Sequence, residues 1–458
     1  MEAGCETWIL RTLSCHLGLR LDQPAAVSAS MPRLARLLDG ANPAQRETAR
    51  KLLDPFLPRD VIRAFRDGNN ALVCGYERLW ALLDPQSHER FVLPPPGRTP
   101  DLARFRNPGD DARLCRNDLP PAGAGRIART AVLAARRYWA PSDPNSREHD
   151  IPARIAAAID SYGWRSIRCD IRSFVDPAIV TEDYRAIAAA CRDSRADVLI
   201  IDEFQPARGN HAAPGEILRA LKREQPQLRI IGLYLDPWLP EQWNDIAAAA
   251  ELVDGLWSPV GTELWRRPAF GGKALFIPLP HGGVYRAPAH LQPGFGFHGG
   301  VQYSNWDRAF WFAAIAELGL PVEGSISGHR GDELAPLESY RAYMDRMSAH
   351  EAVLNFSRRS NGTHTLTART FEVPAAGGLL VQERSDDIDR FFVAGRHYLR
   401  FETLTDLADI SHLIRTEPDF VESIRREGAA FFRERYADDR IIAYLDHFLF
   451  HRSAARAA

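Results

Sequence analysis

No two of the six cysteines (Cys5, Cys15, Cys74, Cys115, Cys169 and Cys191) stand in a Cys-x-x-Cys spacing. The chain therefore lacks the usual sequence framework of a structural zinc site, and scattered thiols fit a reducing compartment. Long apolar runs are missing as well. No stretch approaches the roughly 20 residues of a membrane-spanning helix, and Glu2, Glu6 and Arg11 interrupt the N-terminus before a signal-peptide core can form. Neither sign of charge dominates: 57 basic side chains face 59 acidic ones, for a net charge of −2. That balance gives no overall field for nucleic acid or an anionic membrane. The expectation is a cytoplasmic protein with no nucleic-acid partner and no membrane span.

What is present is the composition of a globular enzyme-sized chain. Hydrophobic residues make up 45% and charged residues 25% of 458 positions, a length that suggests two or three domains. Residues 1–125 read as an extension of their own. Helical patches at 33–38 and 45–56 alternate with turns such as Leu93-Pro-Pro-Pro-Gly97 and Leu119-Pro-Pro-Ala-Gly123. The short apolar run Asn70–Gly75 reads as a strand, and the extension carries no legible function.

From Arg126 a rhythm begins. Strands are expected over 130–138, 166–171, 196–202, 228–235, 255–258 and 274–279, with helices over 151–162, 183–192, 214–223 and 243–252. Strands alternating with helices imply parallel βαβ units, here one Rossmann-like unit over 126–286. The rhythm restarts with Gly294–Gly300 as a strand ending in a glycine turn. Further strands are expected over 321–327, 352–356 and 378–382, with helices over 306–318, 340–348 and 363–376. The second Rossmann-like unit spans 287–435, and a final helix within 436–458 is expected to cross back to the first unit. Ligands of such α/β units bind beyond the carboxyl ends of the strands, so the fold class is α/β with a cleft between two tandem units.

The run Arg369-Thr-Phe-Glu-Val-Pro-Ala-Ala-Gly-Gly-Leu-Leu-Val-Gln-Glu383 carries the densest chemistry. On a helix over 363–376, Thr365, Arg369 and Glu372 are spaced i, i+4, i+7 and share one face. The helix N-terminus and the Arg369 guanidinium fork suit a diphosphate, and the Glu372 carboxylate suits the two hydroxyls of a ribose. Gly377 and Gly378 end the helix. The same spacing also fits a solvated Arg–Glu surface pair worth about 0.2–0.5 kcal/mol. Gly299 and Gly300 allow close backbone approach to a phosphate or sugar, with Ser304, Asn305 and Arg308 opening the next helix. Arg358 and Arg359 lie in the preceding polar loop. Asp236, at a strand end before Pro237-Trp238, is a candidate base or acceptor-positioning group, although an Asp before Pro also caps turns. Asp202, Glu203 and Asp143 are lesser candidates, and His281 with Gly282-Gly283 marks the junction of the two units. Trp238, beside Asp236, is the candidate for sugar stacking; the tryptophans at 243, 257, 265, 306 and 311 read as packing residues.

Arg369-Thr-Phe-Glu-Val-Pro-Ala-Ala-Gly-Gly resembles the Arg-x-Phe-Glu-x-x-Ala-x-Gly-Gly signature of the CgeB-like (spore-maturation) glycosyltransferases, which belong with the group-1 glycosyltransferases of GT-B fold. The resemblance runs from about 126 to 450 and takes in Asp236-Pro-Trp, Leu279-Pro-His-Gly, Val353-Leu-Asn-Phe-Ser, the stretch from Gly428 to Tyr436, and Arg440. It implies a hexosyltransferase-like enzyme that takes a nucleotide-diphosphate sugar as donor substrate and needs no cofactor or bound metal. The acceptor is a glycan, a protein or a small molecule. Group-1 enzymes embrace the donor with a Glu-x7-Glu motif. Its second Glu matches Glu372, while the first position holds His364, which is the departure from the pattern and the position expected at the donor sugar. The donor set is then Glu372, Arg369, Thr365, Gly299, Gly300 and Arg358, with His364 and Asp236 as catalytic candidates. A binding protein that assembles a surface or coat layer, and a nucleotide-sugar epimerase, fit the same two-unit pattern.

Overall fold

A computed structural model describes residues 36, 41–53, 57–106, 108, 127–136, 150–204, 212–235, 237, 240–260, 270, 272–283, 285, 288–324, 326–327, 339–359 and 362–451. Two separate parallel sheets dominate these residues. The first contains β1 (Thr130–Ala135), β2 (Arg165–Asp170), β3 (Val198–Asp202), β4 (Arg229–Leu233), β5 (Gly255–Trp257) and β6 (Ala274–Leu275), in the spatial order β2-β1-β3-β4-β5-β6. The second contains β7 (Gln292–Gly296), β9 (Val322–Glu323), β11 (His350–Asn355), β12 (Leu380–Glu383) and β13 (Leu399–Phe401), in the order β13-β12-β11-β7-β9. A small parallel pair, β8 (Gly299–Gly300) with β10 (Ile326–Ser327), lies outside that sheet. Counted along each unit, the windings are 2-1-3-4-5-6 and 2-1-3-4-5, the doubly wound order whose ligand site lies where the winding reverses. This is the two-unit α/β architecture expected above, with a helical region N-terminal to it.

The strands could be read from sequence because central parallel strands are covered on both faces and carry continuous apolar runs. Every residue of β3 is buried, as is all of β1 beyond Thr130. The helices of the N-terminal region are α1 (Pro43–Leu53), α2 (Leu57–Arg66) and α3 (Asn70–Leu83). The segment Asn70–Gly75 is thus helical, where a strand was expected. Asn69 caps α3 by accepting the Leu72 N–H at 3.1 Å, and a short apolar run does not by itself distinguish the two structures. The apolar faces of α1–α3 join the core of the second unit, with Phe295, Phe310 and Trp311.

The chain ends with α11 (Leu404–Thr416), α12 (Pro418–Tyr436) and α13 (Asp438–Phe450). The first two belong to the second unit. The last packs Ile441, Ile442 and Leu445 against Ile155, Ile159 and Tyr162 of α4 (Ile151–Tyr162), which follows β1. The C-terminal helix therefore crosses back to the first unit. Arg129 Nε donates to Asp446 Oδ1 at 2.8 Å beside it. At the start of α13 the Asp438 carboxylate accepts the N–H groups of His281 and Gly282 at 2.8 and 2.9 Å, which fixes the segment joining the two units.

The helix that precedes β12 is α10, Arg369–Ala376, and Gly377 closes it at φ +85°. An L-residue in this left-handed region is strained by roughly 1–2 kcal/mol. Gly377→Ala should therefore lower stability by about that amount in a chemical denaturation series; an unchanged midpoint would remove the turn from the features that fix the α10–β12 connection.

Candidate functional site

The second sheet reverses its winding between β7 and β11. Beyond the carboxyl ends of these strands stand Gly299 and Gly300 on one side and Ser357, Arg358 and Arg359 on the other. Three guanidinium groups converge there. Arg308, at the start of α8 (Arg308–Glu317), is only 3% exposed and donates to the Gly300 carbonyl at 3.0 Å and the Phe356 carbonyl at 3.2 Å. Arg359, also buried, donates from Nε to Thr365 Oγ1 at 3.0 Å and from Nη1 to Ser304 Oγ at 3.4 Å. Arg369 opens α10, donates to Asn355 Oδ1 at 3.3 Å, and lies over the Phe297 ring. A Cβ on Gly299 would meet the Phe297 ring edge at 2.9 Å and the Arg369 guanidinium at 3.0 Å, so a side chain there would displace the guanidinium from its present position. Burial, and then the charges of Arg369 and Arg359, push the Arg308 pKa well down. Like charges crowded out of water repel one another and favour an anion between them.

The expected helix over 363–376 is shorter than the sequence suggests. Residues 363–365 instead fold back on 357–359 as a tight antiparallel turn. Arg359 N donates to the Thr363 carbonyl and Thr365 N to the Ser357 carbonyl, both at 2.8 Å, and Arg358 bridges His364. The threonines favour this course, because their hydroxyls find partners outside a helix: Thr365 accepts from Arg359, and Thr367 donates to Asn355 Oδ1 at 2.8 Å. The shared helical face of Thr365, Arg369 and Glu372 is thereby corrected. Thr365 is buried beneath Arg359 in the turn, and only Arg369 and Glu372 belong to α10. The helix N-terminus moves from Thr363 to Arg369.

His364 lies on the returning arm of this turn, opposite Arg358. The residue is exposed, and Nδ1 lies 3.3 Å from Ser357 Oγ. Its pKa is lowered, first by desolvation among its neighbours, with Arg358 and Arg90 adding to the effect and Glu383 opposing it. Glu383 ties the turn to the sheet: its Oε2 accepts the N–H groups of Ser357 and Arg358, both at 2.9 Å. Asn355, which sequence reasoning quoted only as part of a longer run, anchors the opposite side. Its amide donates to Thr370 Oγ1 at 3.0 Å and Gln382 Oε1 at 2.7 Å while its oxygen holds Thr367 and Arg369.

Glu372 is 3% exposed and faces the first unit. Tyr343 Oη donates to its Oε2 at 2.7 Å and Tyr340 Oη to its Oε1 at 3.3 Å, both phenols coming from α9 (Tyr340–Arg346). Arg154, on α4 of the first unit, in turn donates to Tyr340 Oη. An open cleft of about 640 Å³ lies alongside, lined by Arg154, Arg168, Gly283, Tyr285, Tyr340 and Arg341. His281 is buried at the junction, stacks near Phe432, and is held neutral by burial and the neighbouring Arg154 charge.

Of the residues expected from sequence, Arg369, Arg358, Thr365, Gly299, Gly300 and His364 gather around the reversal point, and Glu372 lies on the cleft side of the same helix. Asp236, Trp238, Asp143 and Trp265 lie outside the described residues. Trp257, Trp306 and Trp311 are buried packing residues. Asp202 is buried at the end of β3, and Glu203 follows it in left-handed backbone at φ 49°. Among the described residues no group of three or more His, Cys, Asp or Glu side chains is placed to hold a metal ion, and no helix is long and apolar enough to cross a membrane.

Residues 305–446 match the family model described as Glycosyl transferase-like. No curated protein is significantly similar to the chain. Among solved structures, the chain is similar to HepE of Anabaena in complex with UDP-glucose, at 11% identity over 71% of this chain and all of that one, with a TM-score of 0.43. It is also similar to the sucrose-phosphate synthase of Thermosynechococcus elongatus, at 10% identity over 72% of this chain and all of that one, with a TM-score of 0.46. The arginine cluster itself makes a direct prediction. Sulfate or pyrophosphate should raise the thermal midpoint, since a ligand stabilises the state that binds it, and Arg308→Gln should abolish the rise. An equal rise in the variant would place the anion elsewhere.

Proposed function

We propose that the chain is a metal-independent glycosyltransferase of GT-B type that takes its sugar from a nucleoside-diphosphate donor. The observation carrying this reading is the convergence of Arg308, Arg359 and Arg369 on the Gly299–Gly300 backbone, at the winding reversal of the second sheet. All three arginines fall inside the segment that matches the glycosyl transferase-like model. The Arg369–Gly378 run supports placing the chain with the CgeB-like group.

In this reading the donor diphosphate lies among the three arginines, and Glu372 takes the ribose. An ionised carboxylate has about four acceptor positions, so the two tyrosine phenols leave capacity for the sugar hydroxyls. His364 and Arg358, on the turn above the cluster, face the transferred sugar. The acceptor enters the cleft between the units, on the side of Arg154, Tyr285 and Tyr340, and Asp236, three residues after β4 in the sequence, is the candidate base or acceptor-positioning group. The bond from the sugar C1 to the phosphate oxygen breaks, and the diphosphate leaves with the electron pair. A bond forms from the acceptor oxygen to C1, and the acceptor proton passes to a base. Arginine charges fixed in place before reaction stabilise the departing diphosphate, and positioning supplies much of the rest.

Incubation with a panel of labelled nucleoside-diphosphate sugars tests the activity. Slow release of the nucleoside diphosphate from one of them, or transfer to an added acceptor, is expected; binding with neither would make the chain a nucleotide-sugar-binding protein, and sugar conversion without release would make it an epimerase. Arg369→Ala should weaken that donor about ten- to hundredfold, because hydrogen bonds to charged groups contribute about 1.5–3 kcal/mol and each 1.4 kcal/mol is tenfold. Unchanged affinity in the folded variant would contradict the donor assignment.

A further inference from the structure

Residues 43–106 precede both the matched segment and the stretch of family resemblance, yet they are built onto the donor half. Trp80 meets Trp306 edge-on at 5.1 Å, and Phe91 packs against Phe310 and Trp311 at 5.8 and 5.1 Å. Arg104 pairs with Asp406 at 2.6 Å and Asp409 at 2.7 Å, and Arg98 also pairs with Asp409. These contacts hold the region against α8 and α11.

Beside Phe91, the Arg90 side chain extends to the carboxyl end of the second sheet. Its guanidinium lies 3.2 Å from Asp307 Oδ2 and 3.4 Å from Glu383 Oε1. Both carboxylates are buried. Asp307 directly precedes Arg308, and Glu383 is the group whose other oxygen holds the Ser357 and Arg358 N–H groups. Removing the guanidinium would leave two buried carboxylates without this cation, an arrangement that buried acids do not keep unchanged. The turn over 357–365, which carries Arg358, Arg359, His364 and Thr365, would lose its fixed anchor.

We propose that the helical region 43–106 is a working part of the transfer site, with Arg90 as a positioning residue that sets the 357–365 turn through Glu383 and Asp307. The inference rests on the assignment of that turn to the donor. The charged groups facing His364 are Glu383, Arg358, Arg90 and Asp386. Arg90 is one of the cations that disfavour the imidazolium, so its loss should raise the His364 pKa.

The test uses the full chain with Arg90→Met, Arg90→Lys and, as a control on docking, Arg104→Met. NMR titration of the His364 ring and calorimetric titration with UDP, GDP and ADP are run on each. Arg90→Met should shift the His364 titration to higher pH and weaken the diphosphate that binds wild type about tenfold. Arg90→Lys, which keeps the charge without the fork, should restore the titration and part of the affinity. Arg104→Met should leave the titration where it is. A His364 titration that does not move in Arg90→Met overturns the proposal, as does an upward shift with no loss of affinity. If Arg90→Met does not fold, Arg90→Lys decides: wild-type affinity supports charge-based positioning only when Arg104→Met also matches wild type, and loss of affinity equal to that of Arg104→Met overturns it. If none of the three nucleotides binds wild type, the donor reading and this inference both fall, whereas binding that is insensitive to Arg90 leaves the donor reading intact and removes this inference alone.

Discussion

Three guanidinium groups, two of them buried and the third partly so, form an arrangement that the rest of the second unit works to maintain. Arg308, Arg359 and Arg369 come from three different segments and donate to neutral oxygens: the Gly300 and Phe356 carbonyls, the Thr365 and Ser304 hydroxyls, and the Asn355 amide oxygen. Neutral hydrogen-bond partners fix the geometry of these cations in advance, which suits a site for a polyanion. The nearest buried carboxylates, Asp307 and Glu383, are occupied by Arg90 and by backbone N–H groups. These acids order the backbone and also offset part of the repulsion on Arg308.

The two-sheet fold explains why this cluster forms where it does. With a 2-1-3-4-5 winding, the connections after the first and third strands leave the sheet in opposite directions and open a crevice between them. In the second unit that crevice lies between β7 and β11, so the glycine pair after β7 and the arginine pair after β11 face one another. The first unit meets it across the cleft through Arg154, Tyr340 and Glu372. The helix that crosses back at 438–450, together with the Asp438 clamp on His281 and Gly282, ties both units at the junction.

Much of this was legible in the sequence, for identifiable reasons. Buried parallel strands such as 198–202 announce themselves as apolar runs, and their alternation with helices pointed to two parallel-sheet units. The Arg369–Gly378 run does contain a helix, at Arg369–Ala376, whereas the glycine pair at 299–300, expected as a turn, forms the short strand β8 paired with β10. The start of that helix was not legible, because the Thr365–Ser357 and Arg359–Thr363 hydrogen bonds that replace its first turns join segments only through the folded chain. Asn70–Gly75 misled because six residues of mixed apolar character carry no decisive period. Arg90 carried no signal at all: its partners lie 217 and 293 residues away, and only the folded structure brings them together.

The central claim is that the arginine cluster is reserved for a diphosphate. Parallel calorimetric titrations with nucleoside diphosphates and the matching monophosphates address it directly. The account predicts that the diphosphate of one base binds at least about tenfold tighter than its monophosphate, a difference of about 1.4 kcal/mol, and that Arg359→Ala erases the preference. Equal affinity for the two, or a preference that survives the loss of Arg359, would contradict it.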